Sequence, residues 1–399
     1  MEDLGYGYID RITRGRPQVS VQAPLGYRRG RDGRDRTTKP RYVVASFTEG
    51  EALLIGRHSL HCIVPPGLLD RVARAGDEET RNAALDTLAV DRRFRLGRAE
   101  AAGRTGGFLA RPVTFARAGG RPNRTIYDQQ HSESQTPGVV ARSEGQPPVS
   151  DEAVNQAYDG LGATYDYYWS VFERDSLDGQ GLPLFGCVHY GTRYDNAFYD
   201  GAGHMFFGDG DGRLLTQTTA GIDVIGHELT HGVTQHEANL TYSGQSGALN
   251  ESVSDVFGIQ VKQRALNQDV TQSDWLIGAD IVGPELRPAL RSMKAPGTAN
   301  PHDDQPADMD HYVPGGDVHT NSGIPNRAFY VVATTLGGHA WDAAGPIWYA
   351  TLCDPGLRPG ASFAQFAKLT LKHAQRNYGP ASKEANAVRA GWDAVMVGL

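Results

Sequence analysis

The stretch Asp223–Asp255, D-V-I-G-H-E-L-T-H-G-V-T-Q-H-E-A-N-L-T-Y-S-G-Q-S-G-A-L-N-E-S-V-S-D, constrains the fold of this chain more than any other. Two histidines in it, His227 and His231, stand four residues apart, and Glu228 directly follows the first. Side chains at that spacing share one face of an α-helix, so both imidazoles can meet at one point. Neutral imidazoles are good zinc ligands, and H-E-x-x-H on a helix is the pattern that uses them. Five residues recur by chance, but here a second motif follows. Glu251 lies twenty residues beyond His231, within N-E-S-V-S-D. A second helix folded back across a short loop would bring its carboxylate to the same point. Two imidazoles, one carboxylate and an open fourth position describe a catalytic zinc rather than a closed structural one. Glu228 is then the general base beside the attacking water.

The chain around this motif has 399 residues, which suggests two or three structural units. Hydrophobic residues make up 39% and charged residues 21%, as in a soluble globular protein. The net charge of −7 gives no ground for a nucleic-acid partner. No apolar run approaches the roughly twenty residues needed to span a bilayer. Three cysteines, Cys62, Cys187 and Cys353, do not make a disulfide framework. The N-terminus, M-E-D-L-G-Y-G-Y-I-D, lacks the apolar core of a signal peptide. Cytoplasmic synthesis outside the general secretory route is expected, with export by another route left open.

Residues 1–56 centre on G-Y-R-R-G-R-D-G-R-D-R. Such a stretch is either a basic arm for nucleic acid or membrane, or a solvated disordered extension; its poverty in apolar residues favours the second. A strand is expected within 42–55. In 57–102, Leu68, Leu69, Val72 and Ala73 follow a Pro-Pro pair at helical spacing, and a second helix is expected over 77–88, opening on D-E-E-T. Residues 103–123, rich in Gly and Arg, read as a linker. Beyond it the pattern is mostly β up to about 221, interrupted by one amphipathic helix over 149–172. Strands are expected at 187–190 and 204–208. The G-D-G-D-G run at 208–212 reads as a turn, since it lacks the other ligand positions of a calcium loop. After Asp255 the spacing is helical over 256–266, 328–336, 346–352, 363–378 and 383–397.

H-E-L-T-H followed at this distance by N-E-S-V-S-D resembles the signature of the thermolysin family of zinc endopeptidases, and the likeness covers about 120–399. It implies an α+β fold of two lobes: a mostly β lobe over 124–236 that includes the H-E-x-x-H helix, and a helical lobe over 237–399, with the zinc cleft between them. It implies metal ligands His227, His231 and Glu251, and catalytic Glu228. Tyr242, in N-L-T-Y, and His319, in D-V-H-T-N-S-G-I, match the family's oxyanion donors. The acid that orients His319 is left open between Asp317, Asp310 and neither. Asp255 resembles the acid behind the first histidine, and Asn250 is the candidate partner of the second. Asn196 and Ala197, in Y-D-N-A-F-Y, resemble an edge strand that pairs with substrate backbone. Arg291, in L-R-S-M, would bind the carbonyl after the scissile bond. Leu290, Val224 and Leu215 would line the pocket there, so a bulky apolar residue after the cut is expected. Asp223 and Asp274 match the family's double calcium site, but Lys262, Leu276 and Ala279 replace other ligands, so loss of that site is expected.

Residues 57–102 resemble the short propeptide of the protealysin-like branch, although Gly67 interrupts its Pro-Pro-Leu motif. The branch implies a self-processing precursor inhibited by its own propeptide, cut between about 105 and 125. Cys62, just ahead of the prolines, has two readings: a thiolate on the zinc that silences the enzyme, or a small buried residue that packs the prosegment. The implied product is a monomeric, secreted enzyme acting on proteins or peptides. Two rivals remain. A zinc aminopeptidase would need an acidic anchor for the substrate amine, which the chain lacks; a binding protein that has lost catalysis need not have kept Glu228.

Overall fold

The computed structural model describes residues 61–104, 120–201 and 203–399; the side chains of 94–104 are not included. The basic extension, the strand expected in 42–55 and most of the 103–123 linker lie outside the described residues. All described residues belong to one compact unit, Thr48–Leu399.

The chain enters as a two-residue strand, β1 (His61–Cys62), and turns at Pro65 into α1 (Pro66–Ala75). Proline at the first helical position loses no bond, because that amide has no partner within the helix. Leu68, Leu69, Val72 and Ala73 form its buried face. The next helix, α2 (Glu78–Arg104), runs well past the expected end at residue 88. No proline stops it, and its remaining residues, rich in Ala and Arg, are good helix formers.

Strands β2 (Arg124–Asp128) and β3 (Val139–Ser143) lead to α3 (Glu152–Phe172). The Asp151 carboxylate caps α3 by accepting from the amides of Ala153 and Val154. Strands β4 (Leu184–Val188), β5 (Ala197–Tyr199) and β6 (His204–Phe207) follow. The sheet order is β1-β5-β6-β4-β2-β3. The β2/β4 and β4/β6 pairs are parallel; β2/β3, β5/β6 and β1/β5 are antiparallel. The strand expected to be an open edge, β5, is therefore covered by β1 from the prosegment.

Helices α4 (Ile222–His236) and α5 (Gly244–Ala265) carry the two halves of the motif. They cross in contact because two glycines meet there. A Cβ on Gly226 would stand 3.1 Å from the Gly258 Cα, and one on Gly258 would stand 2.5 Å from the Asp223 carbonyl. Helix α5 is buried from Ser246 to Gln263, on every face. Asn250, Glu251, Ser254, Asp255 and Lys262 are thus polar groups inside the protein, which is costly unless each is bonded.

Short strands β7 (Leu276–Ile277) and β8 (Arg291–Ser292) pair antiparallel, and α6 (Val318–Asn321) follows, capped by Asp317. The rest is helical: α7 (Gly323–Leu336), α8 (Ala344–Leu352), α9 (Phe363–Tyr378) and α10 (Lys383–Ala394). Stacked Trp348 and Trp392, 6.1 Å apart, tie α8 to α10.

Candidate active site

Helix α4 directs His227 and His231 to the same side, with their Nε2 atoms 3.0 Å apart. Glu251 on α5 brings its carboxylate to 3.4 Å from the His227 Nε2 and 3.6 Å from the His231 Nε2. Ligands about 2.0–2.2 Å from one tetrahedral ion stand roughly 3.3–3.5 Å from each other, so this triangle fits zinc. All three residues are buried. Among the described residues, one Glu251 oxygen, Oε2, is a buried acceptor without a hydrogen bond of normal geometry, although the His227 and His319 Nε2 atoms lie 3.4 and 3.2 Å away, as expected of an atom that can take a metal.

The ring nitrogens facing away from this triangle are anchored. Asp255 lies 2.8 Å from the His227 Nδ1, and Asn250 lies 2.8 Å from the His231 Nδ1, with Ser254 at 3.1 Å. Such contacts leave each Nε2 directed at the metal position. Burial works against a charged Asp255, but Arg291 and His227 outweigh it and hold the carboxyl well below the usual range.

Glu228 is fully buried, and neither of its oxygens has a hydrogen-bond partner of normal geometry among the described residues. Burial drives its pKa well above the ordinary value, while His227, the Tyr199 amide and Arg291 pull the other way. A carboxylate in that state is a strong proton acceptor, as a general base must be. Tyr242 donates its hydroxyl to Glu251 and lies 3.2 Å from the His319 Nε2. The His319 Nδ1 meets Asp317 at 2.7 Å, which decides the orienting acid. Asp317 can do this because it caps α6, two residues ahead of the histidine.

The expected substrate-contacting residues also converge, and the chain's own prosegment lies on them. Ile63 donates its amide to the Ala197 carbonyl at 3.1 Å. Val64 donates its amide to the Asn196 Oδ1 at 2.9 Å, and the Asn196 Nδ2 donates to the Val64 carbonyl at 3.3 Å. Arg291 donates to the Ile63 carbonyl at 2.8 Å, and the His319 Nε2 lies 2.9 Å from the Cys62 carbonyl. Ile63, Leu215, Val224 and Leu290 are all fully buried in the main hydrophobic core. Helix α1 adds a clamp, with Arg71 donating to Asp304 at 2.6 and 2.8 Å.

Residues 117–235 match the catalytic domain of thermolysin metallopeptidase, and residues 238–397 match its alpha-helical domain. The chain belongs to the thermolysin family. The extracellular metalloprotease of Pectobacterium carotovorum subsp. carotovorum is 45% identical over 346 residues, covering 84% of this chain and 96% of that one. Protease PrtS of a Photorhabdus species is 48% identical over 267 residues, covering 63% of this chain and 71% of that protein. Among solved structures, the precursor of protealysin, a metalloproteinase from Serratia proteamaculans, superposes with a TM-score of 0.74 and 47% identity. It covers 85% of this chain and all of the other (100%). The chain is accordingly a thermolysin-like zinc metalloendopeptidase with a propeptide, in the protealysin-like branch.

At this thermolysin-family site Cys62 takes the second of its two readings, a buried packing residue, and Arg291 has a partner that the sequence did not suggest. Cys62 does not face the metal position. Its thiol is buried in a cluster with Cys187, Tyr190, Tyr194, Phe198 and Phe206, and donates to the Val64 carbonyl at 3.4 Å. Successive residues of a strand point to opposite faces, so the neighbour that faces the metal ligands is His61. Its ring centroid lies 4.4 Å from that of His231 and 4.5 Å from that of Tyr242. Arg291 does more than bind a carbonyl. It forks onto both oxygens of Asp255, at 2.8 and 3.0 Å, while Asn326 donates to the same carboxylate at 2.8 Å. Nothing in L-R-S-M signals that pairing, because the partners lie 36 residues apart.

Proposed function

We propose that this chain removes its own prosegment and, once free of it, cuts peptide bonds on the amino side of bulky apolar residues. The observation that carries the reading is the backbone of Cys62–Val64, which engages Asn196, Ala197, Arg291 and His319 as an extended peptide substrate would. In that alignment Ile63 occupies the position after the scissile bond. Its side chain is fully buried, in the same main hydrophobic core as Leu215, Val224 and Leu290.

Zinc, when bound by His227, His231 and Glu251, polarises the reacting carbonyl and lowers the pKa of water towards neutrality. Glu228 takes a proton from the attacking water and passes it to the leaving amine. Tyr242 and His319 donate to the oxyanion as charge develops on it, and Asp317 holds His319 in the donating tautomer. Arg291 and Asn196 hold the substrate in register. The name of the Pectobacterium relative, an extracellular metalloprotease, supports action outside the cell, and among the described residues no helix is long and apolar enough to cross a membrane.

Calcium has no part in this reading. The Lys262 ammonium lies 3.4 Å from Asp274 and 3.3 Å from Asp280. Asp223, wholly buried beside it, is pushed up by burial and held down by the same lysine. A fixed cation among three carboxylates does electrostatically what a bound ion would do, and repels one. EGTA is therefore expected to leave the Tm unchanged. Lys262→Met is expected to cost about 2–3 kcal/mol, less than a fully buried pair because Asp274 and Asp280 are half-exposed. A Tm that falls on calcium removal from the parent chain would sink this reading.

The test of the function follows intact mass over time, with and without 1,10-phenanthroline. Loss of an N-terminal piece ending between residues 105 and 125, blocked by the chelator, is expected. The processed enzyme should cut end-blocked peptides, with Leu or Phe after the cut favoured over Asp by about tenfold or more. Failure on every blocked peptide would instead favour an aminopeptidase or a catalytically silent relative.

A further inference from the structure

Within the prosegment, the Cys62–Ile63 peptide bond lies where a substrate's scissile bond would lie. Its carbonyl meets His319, and the next carbonyl meets Arg291. A peptide in that register should be cut, so something other than displacement or reversed polarity must protect it. The residue just before that bond's first carbonyl group is His61. One ring nitrogen of His61, one of His231 and a Glu251 carboxylate oxygen all lie within 4.8 Å of one another. This grouping brings the prosegment histidine beside two members of the His227, His231, Glu251 triangle.

We propose that His61 is a fourth protein ligand of the precursor's zinc, closing the position that the attacking water needs. The proposal rests on the metal reading of the site given above. Three observations support it independently of any titration. The β1/β5 register pairs His61 with Tyr199 and Cys62 with Phe198, so strand alternation sends the imidazole towards the metal ligands and the thiol away from them. The bonds from Ala197, Asn196 and Arg291 to residues 63 and 64 fix that register through backbone atoms. His61 also packs its ring against both His231 and Tyr242, which reserves its place beside a metal ligand and an oxyanion donor. A catalytic three-ligand site thereby becomes a closed four-ligand one while the prosegment is docked. Release of the prosegment removes the ligand and the covering strand together.

The test uses the full chain carrying Glu228→Gln, which keeps the prosegment attached. Zinc content and zinc X-ray absorption are measured, and the visible spectrum is recorded after cobalt exchange. With His61 present, three imidazoles per zinc and a four-coordinate cobalt spectrum are expected. With His61→Ala added, two imidazoles are expected, and zinc should pass to a chromogenic chelator at least about tenfold faster, since removal of even an outer partner costs that much. Should His61→Ala fail to fold, His61→Cys offers a second route, with an intense thiolate-to-cobalt band expected that the parent lacks. Equal imidazole counts with and without His61, or a His61→Cys chain that binds cobalt without that band, would overturn the proposal. One-to-one zinc with two imidazoles in every variant would refute the fourth ligand but keep the metal site; absence of zinc from all of them would refute the metal site itself.

Discussion

Glu228→Gln is expected to lower peptide hydrolysis by about 10³- to 10⁴-fold, near the upper end of what a positioned base contributes, with zinc still bound one per chain. The carboxylate is sealed from solvent, and burial has pushed its pKa up. Glutamine keeps its shape and cannot accept the proton. His227, His231 and Glu251 are untouched, so metal content measured beside kcat/KM separates loss of the base from loss of the site. Stability gives a second readout. Two buried oxygens without normal hydrogen bonds are a cost to the fold. Their replacement by a neutral amide should leave the Tm unchanged or raise it, as when activity has been kept at the expense of stability. Self-processing should stop as well. Activity within tenfold of the parent would show that the base lies elsewhere.

Arg291→Leu is expected to cost about 3–5 kcal/mol in urea unfolding, the range for breaking a buried ion pair from one side. Asp255 is wholly buried, and the Arg291 guanidinium supplies two of its hydrogen bonds. Without it, the carboxylate retains His227 and Asn326. The charge left over then disturbs the ring that holds the metal. A fall of about 10²-fold in kcat/KM is expected as well, because the same guanidinium reaches the carbonyl after the cut, at a site where misplacement alone costs that much. Arg291→Lys should restore less than half of either loss. An ammonium keeps the charge but cannot fork onto two oxygens while reaching a third. A Lys variant equal to the parent would mean that charge alone matters at this position.

Much of this protein was legible from its residues. Spacing put His227 and His231 on one helix face, and the covalent order fixed Glu228 between them. The helices expected over 149–172 and 363–378 followed from periodicity, since apolar spacing is a local property, and the structure forms them at Glu152–Phe172 and Phe363–Tyr378. The thermolysin-family resemblance carried Asn196, Ala197, Arg291, Tyr242 and His319 to one cleft, and the structure brings them together there. The lysine among the aspartates was also visible, because a charge change needs no coordinates to be noticed.

Other features depended on the tertiary structure. The identity of the prosegment residue that packs beside His231 turned on a single step of strand register. Cys62 and His61 are adjacent, and the period of two sends one to an aromatic cluster and the other to the rings of His231 and Tyr242. The choice of Asp317 for His319 depended on a cap, which exists only once α6 has formed. The pairing of Arg291 with Asp255 joins a short strand to the middle of a buried helix, across a separation that carries no periodic signal. The sequence by itself determined which chemically able groups the chain carries, two imidazoles and two carboxylates at metal-site spacing, and in what order they occur. The tertiary structure decided which of those groups meet, because contact between distant segments depends on register, crossing geometry and burial, and none of these is a property of a local run of residues.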